Sequence, residues 1–403
     1  MTSTEAAPTV QAPPEGAARR RSRATRVLQA TSVLSGFAQS LSSSASALLA
    51  AQVGGSDQVA GWPQTAVVAG AAGASVLLSR LAGRRGRRAA LSTGALVAIA
   101  GCTAVALGAV LGRLSVILLG SLLLGAGNAT VMLSRYAAAD LAPQRARAMA
   151  SVLTATTIGA AAGPNLLAWS SGAAAGVGLP ALSGPYLFAA VGFAAAVGTL
   201  LLGLPDALLP ARAAASASRP VPAGFGGRSA VGLVVLAIAN LVMVGVMTMA
   251  PVHMRHAGSG LSIVGLVIGL HIAGMFAPSP VSGWLTGRVG PTVASAGAGA
   301  VLTASSVLAA VGAHSAWLLA VAMTLLGVGW NLALIAGSTL LTEGLAPARR
   351  PRREGWGEVG MGGAAAAAGI LAGPLMGAGG YPLLALVGAG AAACVIPIAL
   401  FRR

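Results

Sequence analysis

Inside the long apolar runs of this 403-residue sequence, few side chains could do chemistry. His271 lies near the middle of one run, and an imidazole can take up and release a proton near neutral pH. It is the candidate carrier of a coupling proton; the alternative is a neutral ring sharing a hydrogen bond between helices. Asn128, Asn240, Asn331 and Gln39 are amides deep in other runs. Buried amides need partners, so each either ties helices together or faces a solute. Asn128 and Asn331 occupy near-equivalent places in two similar segments, and Trp330 adjoins the second. These five are the candidate substrate contacts. A charge at mid-helix costs about 2.5–3.5 kcal/mol, and no Asp, Glu or Arg falls near the middle of a run. Asp57 and Glu358 stand at run ends.

Other chemistries are excluded by what is missing. All 25 basic residues are arginine, so there is no lysine for a phosphate-gripping P-loop or a Schiff base. Cys102 and Cys394 are isolated, without metal-ligand or disulfide spacing. His253 and His256 have no acidic neighbour, and no Gly-x-Ser-x-Gly elbow occurs. An enzyme, an ATP-driven pump, a metal site and a cofactor are therefore not expected. The net charge of +17 sits in short arginine clusters between apolar runs, unlike a nucleic-acid-binding face with interleaved aromatics.

Membrane helices must position the polar residues. The chain is 56% hydrophobic and 8% charged, with a mean hydropathy of +0.83, whereas soluble domains carry about a quarter charged residues. A spanning helix needs about 20 mostly apolar residues. Twelve such runs can be placed, at 27–50, 58–80, 89–111, 114–136, 148–171, 184–204, 229–252, 260–284, 291–312, 315–338, 356–378 and 381–401. They lack the period-2 alternation of a membrane barrel. Residues 1–26 read as a disordered basic tail rather than a signal peptide. The Pro/Ser/Gly-rich stretch 205–228 reads as a flexible linker between six-helix units at 27–204 and 229–401. With both termini in the cytoplasm, 23 of the 25 arginines fall on that side, leaving Arg113 and Arg255 outside. Such asymmetry sets orientation, here in a cytoplasmic (inner) membrane.

The two units resemble each other. "SRLAGRRG" (79–86) follows run 2 and "GWLTGRVG" (283–290) follows run 8; "LLGAGN" (123–128) faces "LLGVGWN" (325–331). "LAPQR" (141–145) matches "LAPAR" (345–349), and "GAAAGP" (159–164) matches "GILAGP" (369–374). Each repeat pairs run n with run n+6, so the halves are parallel repeats about an axis along the membrane normal. The expected fold is an all-α polytopic membrane protein of twelve transmembrane helices.

Twelve spans as 6+6, the Gly–Arg–x–Gly turns and the GxxxGP of run 5 resemble the major facilitator superfamily over about residues 27–401. "MTMAPVHM" (247–254) and "HIAGMFAPSPVSGWLTGRVG" (271–290) resemble a bacterial branch of efflux permeases within it. The resemblance implies a central cavity opened alternately to each side by rocking of the halves. It also implies gating roles for Gly83, Arg84, Gly86, Gly287, Arg288 and Gly290, and an antiporter signature at Gly159, Gly163 and Pro164. The family's loop turn carries an Asp before its first Arg, an anchor to a neighbouring helix end; here Gly83 and Gly287 stand in its place. The family's run-4 Arg is Ser121. Read physically, Gly86 and Gly290 are tight-turn positions, Gly159 and Gly163 permit close helix contact, and Pro164 deletes a backbone hydrogen bond.

The expected function is proton-coupled export of a small amphipathic or apolar compound by a monomeric transporter. No mid-membrane carboxylate offsets the desolvation of a strongly cationic substrate. A uniporter or importer of a small metabolite, and a transporter with impaired coupling, stay open. Protons, the small-molecule solute and anionic lipids at the arginine clusters are the expected partners.

Overall fold

A computed structural model describes residues 15–55, 59, 62–204, 227–259 and 261–401. Among them the chain is helical almost throughout, without strands. The first half holds α1 (Glu15–Gly54), α2 (Trp62–Arg85), α3 (Arg87–Leu111), α4 (Leu114–Leu141), α5 (Arg145–Asn165), α6 (Leu167–Gly176) and α7 (Gly184–Gly203). The second holds α8 (Gly227–His256), α9 (Leu261–Phe276), α10 (Ser279–Val289), α11 (Pro291–Val311), α12 (Ala316–Thr342), α13 (Arg350–Ala393) and α14 (Val395–Phe401).

Nine stretches among the described residues are long and apolar enough to cross a membrane. The runs at 27–50 and 148–171 are not among them, and those at 356–378 and 381–401 appear as one, Pro347–Leu400. The chemistry of each departure is local. Run 148–171 breaks at Leu166 into α5 and α6, two residues past Pro164. Run 260–284 divides into α9 and α10 at Pro278, which has no N–H to continue a helix. Within α13, Gly379 and Gly380 leave helical geometry, the latter at φ +68°, a conformation that favours glycine, so the stretch divides into two helical parts where the sequence separates runs 356–378 and 381–401.

One boundary needs correction. The tail expected to be disordered over 1–26 is helical from Glu15, because α1 continues outward through Ala- and Arg-rich sequence of high helix propensity. The expected linker 205–228 lies outside the described residues as far as 226; α8 starts at Gly227.

Apolar burial cannot hold helices together in lipid, so close packing must. Glycine provides it, and in the same places in both halves. A Cβ on Gly125 of α4 would overlap the backbone of α2 at Val67–Ala71; one on Gly327 of α12 would lie 2.5 Å from the His271 carbonyl oxygen and 2.7 Å from the Met275 nitrogen of α9. Residues 67 and 71 stand 204 positions before 271 and 275. Reciprocally, Gly70 abuts the Leu122 carbonyl and Gly274 the Thr324 carbonyl. Gly127 approaches Ala98 of α3, and Gly329 approaches Leu302 of α11, again 204 positions on. The LLGAGN and LLGVGWN repeat seen in sequence is thus a repeated helix contact.

The halves meet along two seams at the end of the bundle where the arginine-rich turns lie. There α2 packs on α13 and α5 on α10. Gly355 of α13 accommodates Ser79, whose Cβ is 2.8 Å from where a glycine Cβ would be; Gly283 of α10 accommodates the Cβ of Ala150 at 2.5 Å. Ser79 and Gly283 open the two repeated turn segments, so one motif serves both seams.

Candidate functional site

The charges excluded from mid-span positions collect where these seams converge. The turn before α3 is made by Gly86 at φ +94°, which aims Arg87, the first residue of α3, across the gap between halves. Arg87 Nη1 donates to Glu354 Oε2 at 2.5 Å and Nη2 donates to Glu354 Oε1 at 2.8 Å. Its Nε and Nη2 also donate to Asp140 Oδ2 on α4, at 3.0 and 2.8 Å. Asp140 accepts further bonds from Arg145 at 3.5 Å and Arg350 at 3.3 Å. One carboxylate therefore gathers three guanidiniums. A forked, charge-assisted pair such as Arg87–Glu354 is the strong kind of hydrogen bond.

One helical turn further along α13, Glu358 makes a second bridge. Its Oε1 accepts from Arg135 Nη2 at 2.6 Å. Arg135 is fully buried, and its remaining donors are used: Nη1 on the Met132 carbonyl at 2.7 Å and Nε on Ser338 Oγ at 3.3 Å. The guanidinium also stacks over the Tyr136 ring, 4.5 Å from its centroid, and the Tyr136 hydroxyl donates to Ser338 Oγ at 3.3 Å. Breaking a buried pair of this kind by removing one partner costs about 3–5 kcal/mol. Both bridges join α3 or α4 of the first half to α13 of the second.

Each of the four carboxylates whose side chains are described is ion-paired, Glu343 doing so with Arg228 at 3.3 Å. Arg145 is the first residue of α5, outside the spanning run 148–171. Burial first, and the charge of Arg350 second, hold its pKa below the ordinary guanidinium value.

The turn residues singled out from sequence divide by role. Gly86 and Gly290 take the expected positive φ, +94° and +84°. Arg84 is exposed, and Arg288 is exposed over the Trp284 ring; neither makes the crossing contact. Gly83 and Gly287 are exposed, and a Cβ on either would meet nothing within 4 Å. An anchoring acid is present all the same, but it comes from the opposite side of the gap, as Glu354. Sequence reasoning missed Arg87–Glu354 and Arg135–Glu358. The available signal was the spacing of Glu354 and Glu358, four apart and hence on one helix face, in a chain with eight acids.

In GAAAGP, Gly159 and Gly163 pack on α1: their Cβ atoms would collide with the Val33 carbonyl and lie 2.7 Å from the Leu41 nitrogen. Pro164 cannot donate to the carbonyl of Ala160, and Ser40 Oγ of α1 donates to it instead, at 2.7 Å. The matching Gly369 and Gly373 of α13 meet nothing within 4 Å.

Three polar candidates of the second half tie helices. His271 is fully buried, its Nδ1 2.8 Å from the Met323 carbonyl and its Nε2 without a partner. Asn331 Nδ2 donates to the Met275 carbonyl at 2.7 Å and Ser279 Oγ at 2.8 Å, leaving Oδ1 unpaired. Asn240 donates to the Met361 carbonyl at 2.7 Å and accepts from Trp330 Nε1 at 3.0 Å, so α8, α12 and α13 meet there. Asn128 is half-buried on α4. The paired glycines place Trp330, not Asn331, opposite Asn128. Gln39 of α1 keeps a buried, unpaired Oε1. Asp57 lies outside the described residues.

Comparison with known proteins gives this arrangement its family. Residues 30–333 match the Major Facilitator Superfamily. The chain is 37% identical over 372 residues to the MFS-type transporter YdeG of Bacillus subtilis (strain 168), covering 89% of this chain and 86% of that one. It is 30% identical over 314 residues to the riboflavin transporter RfnT of Brucella anthropi, covering 75% and 78%. Its fold is similar to the crystal structure of the human organic anion transporter MFSD10 (TETRAN), with a TM-score of 0.77 and 16% identity over 96% of this chain and 100% of that one. The chain belongs to the Major Facilitator Superfamily, and is a membrane transporter rather than an enzyme.

Proposed function

We propose that the protein exports a small amphipathic or apolar compound in exchange for protons, from an inner membrane with its arginine-rich end in the cytoplasm. The observation that supports alternating access is the pair of buried Arg–Glu bridges between halves, Arg87–Glu354 and Arg135–Glu358. They close one end of the bundle through contacts that opening must break, which is how a two-state transporter holds an end state. Gly159, Gly163 and Pro164 fix α5 on α1, and the turns at Gly83–Gly86 and Gly287–Gly290 flank the seams as gating elements. Asn128, Asn240, Gln39, Trp330 and Asn331 are the proposed solute contacts, since Asn331 and Gln39 keep unpaired oxygens that cost free energy until something bonds them. His271, with its unpaired Nε2, is the proposed proton carrier.

Everted membrane vesicles test this. An imposed proton gradient should drive uptake of a panel of toxic amphipathic compounds, an ionophore should abolish it, and His271→Ala should uncouple it while leaving expression normal. Undiminished gradient-driven transport in His271→Ala removes the histidine from the mechanism; accumulation by whole cells but not by everted vesicles removes export.

A second reading is uptake of a planar heteroaromatic metabolite, favoured by the likeness to a riboflavin transporter. Saturable riboflavin accumulation by whole cells that depends on the protein would establish it over export.

A further inference from the structure

The end of the bundle opposite the arginine-rich turns holds a cluster of rings that the transport reading leaves unused. His253 is in the last turn of α8, His314 lies in the turn between α11 and α12, and Tyr381 follows the Gly379–Gly380 break in α13. No spacing in the sequence joins these residues, so sequence alone gives no reason to expect a metal site among them. The fold brings them together. The imidazole of His253 stacks on the Tyr381 ring, with centroids 4.8 Å apart and planes 11° from parallel. The His314 ring meets the His253 ring edge-on, with 6.4 Å between centroids.

His253 is held in one plane and one tautomer. Its Nε2 lies 2.8 Å from the Ala313 carbonyl oxygen. A carbonyl only accepts, so Nε2 carries the hydrogen and Nδ1 of the neutral ring keeps its lone pair. Tyr381 fixes the plane: it is fully buried, and its hydroxyl donates to the Val246 carbonyl at 3.4 Å. One N–H on a backbone carbonyl, with the lone pair on the other nitrogen, is the way proteins present histidine to a metal ion. His314 is exposed on the same turn as Ala313, so its ring can reorient towards a bound ion. Tying α8 to this turn needs only the Ala313 bond; the neighbouring imidazole supplies a second ligand.

Ligand type decides the ion. Imidazole nitrogens favour Zn²⁺, Cu²⁺ and Ni²⁺ over Mg²⁺ and Ca²⁺, which take oxygens. Among the described residues no third His, Cys, Asp or Glu completes a cluster. Water therefore takes the other positions, and the site is open rather than a closed structural one.

We propose that His253 and His314 bind a divalent transition-metal ion such as Zn²⁺, pinning the end of α8 to the α11–α12 turn. Tyr381 is a positioning residue that holds the His253 ring and links the pair to α13. Because the two ligands come from separate elements, occupancy stabilises the contact between them. The site is independent of the transported solute and of the bridges at the other end.

Tag-free full-length protein in chelator-treated detergent should bind one Zn²⁺ by isothermal titration calorimetry and melt at a higher temperature once it does, whereas Mg²⁺ should do neither. His314→Ala should weaken Zn²⁺ binding at least about tenfold with the metal-free melting temperature unchanged, since that side chain is exposed. Tyr381→Leu should weaken binding about tenfold through the His253 ring. Bound Cu²⁺ should give an electron paramagnetic resonance spectrum with two nitrogen ligands in the parent and one in His314→Ala, a signature that a merely structural histidine would not produce. His256→Ala should change neither affinity nor spectrum. Absence of Zn²⁺ binding, binding untouched by His314→Ala, or a loss caused by His256→Ala in its place overturns the proposal. If Tyr381→Leu does not fold, His314→Ala and the Cu²⁺ spectrum decide.

Discussion

Arg87 and Glu354 stand 267 positions apart in the chain, yet the guanidinium of one grips both carboxylate oxygens of the other. The bond spans the gap between the halves and must open each time they separate at this end. Removing Glu354 leaves Arg87 with Asp140 alone, so Glu354→Gln should shift the protein towards the state open at the arginine-rich end. A loss of about 3 kcal/mol exceeds the 1.4 kcal/mol of a tenfold population change. Distances between spin labels on the two halves would show the shift; an unchanged distribution would show that the bridge does not hold the state.

The deeper bridge should behave differently when both partners are exchanged. Arg135→Met alone leaves Glu358 unpaired among buried groups and should lower the melting temperature sharply. Arg135→Met with Glu358→Leu removes both desolvation penalties, and replacement of a buried pair by apolar residues is often neutral or stabilising. A double-mutant cycle on thermal unfolding measures the coupling; additive losses would mean that the two residues do not depend on each other.

Ser40 and Pro164 form a testable exchange. Ser40→Ala strands the Ala160 carbonyl and should destabilise the fold by about 1–3 kcal/mol. Pro164→Ala restores an amide that can bond the same carbonyl, so the loss from Ser40→Ala should shrink in that background. An equal loss in both backgrounds would rule out the substitution of hydroxyl for amide.

Identical motifs should also tolerate substitution unequally. Gly159→Val drives a side chain into the Val33 carbonyl and should abolish folding, whereas Gly369→Val and Gly373→Val enter open space and should express normally. Fluorescence-detected size-exclusion profiles of the three variants would check this, and misfolding of the α13 variants would contradict the geometry.

Much of the architecture was readable from local pattern. Run length gave most of the helices, and the spacing of "LLGAGN" and "LLGVGWN" foretold that Gly125 and Gly327 would make corresponding contacts. Register within the repeat was less readable, because the Asn residues suggested one alignment and the glycine contacts imposed another. The bridges were not readable at all. Which arginine of "GRRGRR" turns inward depends on the direction set by Gly86, and which acid it meets depends on how α13 crosses α2. His271 illustrates the reverse problem: the sequence marks it as chemically able, while only the fold reveals that one nitrogen is already held by the Met323 carbonyl.

The hydroxyl of Ser40 resting on the Ala160 carbonyl also has a mechanical meaning. A helix bent at a proline can ordinarily flex there, but α5 has its spare carbonyl tethered to α1, so the two helices form a braced strut. The matching segment of α13 has no such close neighbour at Gly369 or Gly373, and its first helical stretch ends at Gly379 and Gly380, where a second begins. The two halves are therefore tethered unequally at their matching Gly–Pro segments, and only the first has this brace. The unbraced helix also carries Glu354 and Glu358, so the bridges between the halves are mounted on the less tethered of the two segments.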